Sequence, residues 1–333
     1  LIKENSRDTM TILVHSAGFI TSVQDAGRFH YEKFGIPCTG PMDRFALYAA
    51  NRLVGNDAGA AGLEFGVMGP VLVMGDDCVI AATGGGFTLL INRQPMPLWM
   101  SIRVRRGDTL SFSRTEPGNW GYLAISGGID SPVLMGSHAT YLKGKIGGYG
   151  GAALKNGVLL PLYVQPETAY LLAGRFIPPH IRPCYQSDPV IHVVPGPQED
   201  RFTAAGLETF FSSPYRISPT SDRMGYRLEG PQVEHTRGAD MLSDGMAFGS
   251  IQVPASGQPI VMMSEHPTTG GYTKIATVIS ADLPVLAQCI PGSDTIRFTA
   301  VTVEEAQQRY RSLMGNLERC LAVEAYLETD DLQ

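Results

Sequence analysis

Long apolar runs and charged residues are both scarce in this chain. No segment approaches the roughly 18–20 apolar residues that a membrane-spanning helix needs. Charged residues make up 17% of the 333 residues and hydrophobic residues 44%, a composition typical of globular rather than disordered proteins. The formal net charge of −6 argues against nucleic acid or an anionic membrane as the main partner. Residues 1–10 contain no apolar signal-peptide core, so we expect a soluble, cytoplasmic protein.

Cysteine and histidine are few and scattered, and neither residue type forms a metal-binding motif. No two of the five cysteines form a C-x-x-C pair, and the seven histidines contain no H-x-H or H-E-x-x-H arrangement. An odd number of widely separated cysteines does not indicate a disulfide framework. We therefore predict reduced cysteines and no metal site.

The glycine-rich segments lack the fingerprints of common nucleotide-binding loops and of hydrolase triads. Gly84-Gly85-Gly86 is not followed by a predicted helix, and no GxxxxGK[ST] sequence occurs. Ser137 and His138 are adjacent, but no G-x-S-x-G elbow surrounds them. Neighbouring residues rarely place a hydroxyl and an imidazole correctly for nucleophilic catalysis. We therefore expect neither a P-loop nor a hydrolase triad in this chain.

Glycine and proline are abundant, at 38 and 23 residues, and they separate many short apolar runs. This combination predicts a strand-rich chain with tight turns. The strands predicted between residues 63 and 125 have the spacing of a small antiparallel barrel. They include Pro70–Met74, Cys78–Thr83, Thr88–Ile91, Ile102–Val104, Thr109–Phe112 and Gly121–Ile125.

The two halves of the chain resemble each other weakly. Gly107–Phe112 is similar to Gly292–Phe298, since both are a glycine turn followed by a strand. We therefore predict a mainly β fold with a few helices, built from two related antiparallel β-barrels. The first barrel unit is placed at residues 10–165, the second at 186–301, and a C-terminal helix and tail at 302–333.

Two helices have N-terminal signals in the sequence. Pro41 and Asp43 suit the first turn of one helix, and Thr302 with Glu305 forms a capping box for the final helix. Asn51 lies near the polar boundary of the first helix. It would either contact a ligand there or tie down a neighbouring loop.

Two acid–arginine combinations stand beside glycines. Asp25 and Arg28 lie three residues apart, close enough to pair. The guanidinium could hold a carboxylate ligand in a bidentate manner, or the two residues could form an ion pair that pins a loop. Asp222 and Arg223 repeat the combination in the second half.

The stretch Gly245–Val278 is predicted to form three strands, with a hydroxyl- and glycine-rich loop between the last two. Thr268, Thr269, Gly270 and Gly271 could present a row of N–H groups to an anion, a carboxylate or a ureido oxygen. The alternative is a glycine hairpin without a ligand. This loop alone favours the alternative, because Gly-Gly is common turn chemistry.

Several longer motifs occur in order along the chain. They are Thr21–Arg28 (TSVQDAGR), Gly40–Asp43 (GPMD), Ala50–Asn56 (ANRLVGN), Leu63-Glu64, Tyr122–Asp130 (YLAISGGID), Ser221–Leu228 (SDRMGYRL), Ser250–Pro254 (SIQVP) and Thr268–Tyr272 (TTGGY). This pattern resembles the family of KipA, allophanate hydrolase subunit 2 and the 5-oxoprolinase C subunit, also called the biotin-dependent carboxyltransferase family. The resemblance runs from about Thr11 to Val301.

The resemblance implies a pair of cyclophilin-like antiparallel β-barrels and a role in a larger complex. That complex would be an ATP-dependent, 5-oxoprolinase-like hydrolase or carboxyltransferase acting on a small amide, lactam or urea-type substrate, with 5-oxoproline the default. The expected partners are a KipI-like protein (the 5-oxoprolinase B subunit) and the ATP-using 5-oxoprolinase A subunit. No cofactor is expected on this chain, because ATP, and carboxybiotin where it takes part, would be handled by those partners.

The resemblance and the residue chemistry together assign candidate roles. Asp25, Arg28 and Arg223 are the predicted catalytic residues, with Asp25 as the proton acceptor. Backbone N–H groups of Gly127-Gly128 and Thr269–Gly271 would stabilise a developing oxyanion. The predicted substrate-binding residues are Gln24, Asp43, Asn51, Gly127, Gly128, Ser137, His138, Gln252, Thr268, Thr269, Gly270, Gly271 and Tyr272.

Several positions depart from the family's usual residues near this site. The family commonly has arginine where His138 and Ala152 stand, aspartate where Val158 and Glu265 stand, and glutamine where Pro267 stands. Histidine does not replace arginine in bidentate carboxylate binding. The alternative function is therefore a non-catalytic regulatory protein that, like KipA, antagonises a KipI-type inhibitor of a histidine kinase. A third possibility, prolyl isomerase activity by analogy with cyclophilin, rests on fold alone.

Overall fold

The computed structural model describes residues 10–115 and 117–330, with side chains as far as residue 322. Residues 1–9, which the sequence suggests are an extension, and residues 331–333 of the predicted tail lie outside that part. The helices are α1 (Arg44–Leu53), α2 (Ala204–Ser212), α3 (Leu283–Gln288) and α4 (Val303–Asp330). The strands are β1 (Met10–Ser16), β2 (Ile20–Gln24), β3 (Gly62–Gly66), β4 (Val71–Met74), β5 (Cys78–Gly84), β6 (Phe87–Ile91), β7 (Gln94–Met96), β8 (Ser101–Val104), β9 (Thr109–Arg114), β10 (Trp120–Ile125), β11 (Leu159–Leu162), β12 (Val190–Pro195), β13 (Tyr215–Ile217), β14 (Gly225–Glu229), β15 (Asp240–Gly245), β16 (Ser250–Val253), β17 (Ile260–Met262), β18 (Thr269–Val278) and β19 (Thr295–Ala300).

Two antiparallel sheets form the first half of the chain. One has the strand order β11-β1-β4-β9-β6-β7 and the other has the order β2-β3-β10-β5-β8. On β1, Ile12 and Val14 are buried while Leu13 is only partly buried, the two-residue period of a strand with one face on the core. The buried faces of both sheets meet in one hydrophobic cluster, to which Phe65 and Leu123 also belong.

The second half forms a closed barrel. Its order is β12-β19-β13-β14-β17-β16-β18, and β18 pairs back with β12 to close seven strands, while β15 extends the sheet from β18. Pairing is antiparallel around the barrel except between β12 and β19, which run parallel. Helix α2 covers one side of this barrel, where Phe210 stacks on Phe298 of β19 with 4.6 Å between ring centroids. The prediction of a mainly β, barrel-forming chain is confirmed.

Helix α1 lies between the two halves. It begins close to the Pro41–Asp43 signal, but Asp43 is its N-cap and not a residue of its first turn, because the helix starts at Arg44 and Asp43 Oδ1 accepts a hydrogen bond from the Ala46 N–H at 2.9 Å. Its apolar face belongs to one continuous hydrophobic cluster that also contains residues of the barrel and of α4. Leu53 of α1, Ile251 of the barrel and Leu317 of α4 are all fully buried in it. The two halves are therefore joined by a shared core.

Helix α4 begins with the predicted capping box and packs back onto α1. The Thr302 N–H donates to Glu305 Oε2 at 2.9 Å, and the Glu305 N–H donates to Thr302 Oγ1 at 3.1 Å. Further along α4, Glu318 accepts from the Tyr48 hydroxyl at 2.5 Å and pairs with Arg52 at 3.2 Å. These contacts hold the C-terminal helix across the junction of the two halves.

Candidate functional site

Asp25 follows the end of β2 and is the centre of a buried polar cluster. Its Oδ1 accepts hydrogen bonds from the Gly27 N–H at 2.9 Å and from the Ser137 hydroxyl at 2.7 Å. Its Oδ2 accepts from the His138 N–H at 2.5 Å. The fold thus brings three of the predicted site residues, Asp25, Ser137 and His138, into direct contact.

Arg28 is fully buried beside this cluster, but it binds backbone rather than a carboxylate. Its guanidinium donates to the carbonyls of Leu134 and Ala139 at 3.0 and 2.9 Å, and to the Thr39 hydroxyl at 3.3 Å. In the described part of the chain it forms no ion pair with Asp25, so the direct pairing that the spacing suggested is not made. Desolvation lowers the pKa of Arg28, and the nearby negative charge of Asp25 opposes that shift. Residues 134–151 form a glycine-rich loop, and Arg28 holds this loop against the end of β2.

Gly147 shows why this loop is rich in glycine. Its φ is +71°, and a Cβ placed there would lie 2.1 Å from the Ala139 carbonyl oxygen and 2.5 Å from Arg28 Nη2. Any side chain would displace the carbonyl that Arg28 binds. Close approach of backbone to backbone accounts for this glycine without a ligand.

A second buried cluster joins the two halves of the chain. Arg223 donates from Nε to Glu265 Oε1 at 2.7 Å, from Nη1 to Glu64 Oε1, and from Nη2 to the Gly40 carbonyl at 2.6 Å. Glu64 also accepts from the Tyr122 hydroxyl at 2.8 Å. Burial alone would lower the pKa of Arg223, but the two carboxylates raise it. Burial in turn raises the pKa of Glu64, and Arg223 opposes that rise.

Gly40 connects these two clusters. Its carbonyl accepts hydrogen bonds from Arg223 and from the Ser264 hydroxyl, each at 2.6 Å. Its φ is +91°, and a Cβ there would lie 3.3 Å from the carbonyl oxygens of Asp25 and Ala26. One glycine therefore lies against the Asp25 turn on one side and against the barrel on the other.

Asp43 serves the same junction as a structural carboxylate. Beyond capping α1, its Oδ2 accepts from the Tyr185 hydroxyl at 2.7 Å and from Gln288 Nε2 at 2.9 Å. Its N–H donates to the Tyr122 hydroxyl at 2.7 Å. Burial raises the pKa of Asp43 to about 6, although its hydrogen bonds oppose the rise. Its predicted substrate-binding role is untested, and all the contacts named here are made within the protein.

Asn51 belongs to a series of hydrogen bonds that connects neighbouring loops. Its Oδ1 accepts from Asn56 Nδ2 at 3.1 Å, and Asn56 Oδ1 accepts in turn from the Gly127 N–H at 2.8 Å. The Gly128 N–H donates to the Ile125 carbonyl at 2.9 Å. The structure therefore uses both of these predicted oxyanion donors within the fold, and Asn51 acts here in its loop-tying role.

Gln24 is fully buried next to Asp25. Its Nε2 donates to the Ser22 hydroxyl at 3.0 Å and to the Thr140 carbonyl at 3.2 Å, while its Oε1 is buried without a hydrogen-bond partner. Gln24 thus adds a second contact between β2 and the glycine-rich loop.

The predicted ligand segment Thr268–Tyr272 begins three residues after Glu265 of the second cluster, and it is not the turn of a hairpin, because β16 lies between β17 and β18 in the sheet. Most of it forms the start of β18, which pairs with β15. Gln252 of β16 donates to the Tyr272 carbonyl at 3.2 Å, and a Cβ at Gly270 would lie 2.3 Å from Gln252 Nε2. Among the described residues, no hydrogen bond or ion pair joins this strip to either buried cluster.

A cavity of about 260 Å³ adjoins the Asp25 cluster. It lies where α1, α3 and α4 meet, and Phe45, Leu283 and Met314 contribute apolar surface from these three helices. Asp25 and Arg44 are the charged residues in its lining. The cavity is thus small, mostly apolar and bordered by one acid and one base, which is the usual character of a small-molecule site.

Sequence reasoning assigned no site role to several residues that line the cavity or form the buried hydrogen bonds around it. Those residues are Arg44, Glu64, Tyr122, Tyr185, Glu265 and Gln288. One signal was available, because Glu64 stands within the otherwise uncharged strand β3. A carboxylate in a strand buried along its whole length requires a partner.

The described residues contain neither a metal-binding cluster nor a membrane-spanning helix. No group of three or more histidine, cysteine, aspartate or glutamate side chains there is arranged to hold a metal ion. None of the helices described combines the length and apolar character that crossing a bilayer requires.

Proteins of known sequence match most of this chain. The family model for the carboxyltransferase domain, subdomains A and B, matches residues 34–300. The 5-oxoprolinase C subunit of Escherichia coli is 38% identical over 300 residues, covering 88% of this chain and 94% of that protein. Urea amidolyase of Lachancea kluyveri is 35% identical over 325 residues, covering 92% of this chain but 18% of that enzyme.

Solved structures of similar proteins also match this chain. The crystal structure of Kluyveromyces lactis urea amidolyase has a TM-score of 0.86 and 31% identity, covering 93% of this chain and 20% of that one. Another solved structure is 36% identical to this chain, with a TM-score of 0.78. This chain spans about half the length of that protein, at 55%. From its motifs, its fold and these matches, the chain belongs to the carboxyltransferase domain family, subdomains A and B.

Proposed function

We propose that this chain is one component of a 5-oxoprolinase-like enzyme complex that acts on a small lactam, amide or urea-type substrate, with 5-oxoproline the first candidate. The extent of the likeness supports this proposal. The 5-oxoprolinase C subunit of Escherichia coli is matched along 94% of its length, whereas Lachancea kluyveri urea amidolyase is matched along 18%. The likeness therefore extends along nearly the whole 5-oxoprolinase C subunit, at 38% identity, and along one part of the urea amidolyase, at 35% identity.

The position of Asp25 is the observation that carries the proposal. This buried residue lines the cavity and accepts hydrogen bonds from three protein donors. An ionised carboxylate offers about four acceptor positions, so one position is left for a ligand. Lactams, amides and ureas all carry an N–H that can fill it. Asp25 would then orient the substrate and receive its proton, with Arg28 holding the surrounding loop.

The remaining chemistry is assigned to partner polypeptides. A KipI-like protein (the 5-oxoprolinase B subunit) is the proposed direct partner, and the ATP-using 5-oxoprolinase A subunit completes the complex. The sequence contains no P-loop, which supports placing ATP on another polypeptide. Carboxybiotin, where it takes part, would also reach the site from a partner.

Reconstitution tests this function. The chain is mixed with the KipI-like and ATP-using proteins of the same organism, and ATP-dependent hydrolysis of 5-oxoproline is measured. We expect turnover to need all three chains. Asp25→Asn should lower kcat/KM by about 100-fold or more, the scale of a lost proton-transfer group, without preventing assembly.

The matched control is Asp200→Asn, since Asp200 is an exposed acid outside both buried clusters. It should leave turnover unchanged. Full turnover by the partners without this chain would overturn the proposed function. Unchanged turnover by the Asp25→Asn complex would remove Asp25 from the site.

A regulatory function is the second candidate, and the engagement of Gly127 and Gly128 favours it. Their N–H groups already donate to Asn56 and to Ile125, and His138 stands where the family commonly has arginine. In this case the chain would bind a KipI-like inhibitor of a histidine kinase without doing chemistry. A stable complex that relieves kinase inhibition but shows no turnover would support this function. Failure to bind the KipI-like protein at micromolar concentration would exclude it.

A further inference from the structure

Arg44 is a cation in a position that both the dipole of its helix and its apolar surroundings disfavour. It is the first residue of α1, where the positive end of the helix dipole disfavours a positive charge. It also lines the apolar cavity, and desolvation lowers its pKa, although arginine stays charged in proteins. Arg44 is half-buried, and a partly desolvated charge without a partner is costly, so its position needs an explanation.

Its surroundings within the described residues supply no counter-ion. Arg44 Nε is buried without a hydrogen-bond partner, and the guanidinium faces the ring of Phe248 at 4.9 Å. Burial raises the pKa of the nearby Cys38 thiol to about 12 and lowers the pKa of His266, so neither group is charged at neutral pH. The carboxylate of Glu32 accepts from Cys38 Sγ at 2.6 Å and forms no ion pair with Arg44 among the described residues. The one carboxylate residue lining the cavity, Asp25, is already bound by three protein donors.

We propose that Arg44 selects a carboxylate-bearing substrate, so that this cavity takes small monocarboxylates in preference to neutral amides and ureas. A planar guanidinium matches a carboxylate with two parallel hydrogen bonds. The apolar walls suit a compact carbon skeleton, and Asp25 stands in the same lining to accept an N–H. The proposal deepens the proposed function and rests on it in placing the substrate in this cavity.

The first test uses the purified full chain and separates an anchor from a structural arginine. The probes are 5-oxoproline and 2-pyrrolidinone, which is the same ring without the carboxylate. Wild-type chain should show a saturable rise in Tm with 5-oxoproline and a much smaller rise with 2-pyrrolidinone. Arg44→Met should weaken 5-oxoproline binding at least about tenfold, the scale of a lost charged hydrogen bond.

Without ligand, Arg44→Met should have an equal or higher Tm than wild type, because an unpaired, half-buried charge has been removed from the cavity lining. Arg237→Met is the matched control, since Arg237 is exposed and outside the cavity. It should leave both Tm and binding unchanged. A clear fall in the ligand-free Tm of Arg44→Met would assign Arg44 a structural role and overturn the proposal. So would equal binding of the two probes, or absence of saturable 5-oxoproline binding by wild type.

The second test uses the reconstituted complex and keeps this proposal apart from the function itself. Arg44→Met should raise KM for 5-oxoproline by about tenfold or more, with a smaller change in kcat, as expected for lost substrate binding. Arg44→Lys should recover part of the lost affinity. If the wild-type complex is active and the Arg44→Met complex has an unchanged KM, the role of Arg44 is overturned and the proposed function stands. A wild-type complex inactive on 5-oxoproline would overturn the proposed function, while carboxylate binding by the single chain would still be decided by the first test.

Discussion

Arg28 and Arg223 come from similar sequence patterns but occupy opposite electrostatic settings. Each stands near an aspartate and a glycine in the sequence, and each is almost completely buried, with 0% and 5% of its surface exposed. Arg28 donates to two backbone carbonyls and a hydroxyl. Arg223 donates to two carboxylates from different halves of the chain.

The difference shows that the groups to which a buried arginine donates, rather than its degree of burial, determine its structural role. Arg28 supports one loop beside a cavity, so its loss should act on the shape of that loop. Arg223 neutralises two acids at the junction of the halves, so its loss should act on the whole fold. Neither setting resembles that of Arg44, which has no counter-ion among the described residues.

The largest effect is expected at Arg223. Arg223→Met leaves Glu64 and Glu265 buried without their cation and should reduce the free energy of unfolding by about 3–5 kcal/mol, measured by urea denaturation. Adding Glu265→Gln should restore part of this loss. Arg297→Met is the control, because Arg297 is exposed on β19. A loss below about 1 kcal/mol would mean that the triad contributes little.

A smaller effect is expected at Arg28. Arg28→Met leaves the carbonyls of Leu134 and Ala139 without a donor and should cost about 1–3 kcal/mol. Hydrogen exchange should become faster between residues 134 and 151, while the barrel is unaffected. A double-mutant cycle with Asp25→Asn should give a smaller coupling energy than the cycle of Arg223 with Glu265. Equal couplings would contradict the contrast drawn between the two arginines.

The pH dependence of stability tests the third member of the junction, Asp43. Its pKa is raised from an ordinary 3.8 to about 6 in the folded chain, so the folded state holds a proton that the unfolded state has lost between these values. Its stabilising contribution is therefore complete below about pH 4 and is lost as pH rises through 6. Between pH 4 and pH 7 this amounts to about 1–3 kcal/mol of unfolding free energy.

Comparison with Asp43→Asn isolates that contribution, because asparagine also caps α1 but does not titrate. Urea denaturation at several pH values should give a wild-type curve that falls more steeply from pH 4 to pH 7 than the variant curve. Parallel curves would mean that Asp43 titrates normally in the fold.

The smallest effect is expected at the start of β18, where this strand pairs with β15. Thr269 is exposed at the start of β18, so Thr269→Ala should change the free energy of unfolding by no more than about 0.5 kcal/mol. Turnover by the reconstituted complex decides its predicted role. A large loss of turnover with unchanged stability would show that this strip contributes to the site through the assembled complex.

Local features of the fold could be predicted from sequence because their causes lie within a few residues. The Thr302–Glu305 capping box depends on side chains and N–H groups three residues apart. The Pro41–Asp43 signal located the start of α1 to within a few residues, although Asp43 is the cap and not part of the first turn. Strand content followed from short apolar runs between glycines and prolines. The motif order identified the family, and with it the mainly β fold.

Long-range partners could not be predicted in the same way. Glu64 and Arg223 are 159 positions apart, and Asp43 and Gln288 are 245 apart. No periodicity indicates such pairs, because they depend on how two complete sheets dock. The cavity beside Arg44 likewise exists only because α4 returns to α1. For Asn51 the sequence left two roles open, and the structure shows the loop-tying role.

The hydrophobic cluster shared by α1, the barrel and α4 has a consequence for cooperativity. Since Leu53, Ile251 and Leu317 belong to the same packed cluster, neither half can open without exposing apolar surface of the other. We expect a single unfolding transition, with calorimetric and van't Hoff enthalpies in agreement. A structural unit that unfolds in a single transition can also be inserted as a whole into a longer polypeptide. A block of this architecture makes up about a fifth of Kluyveromyces lactis urea amidolyase.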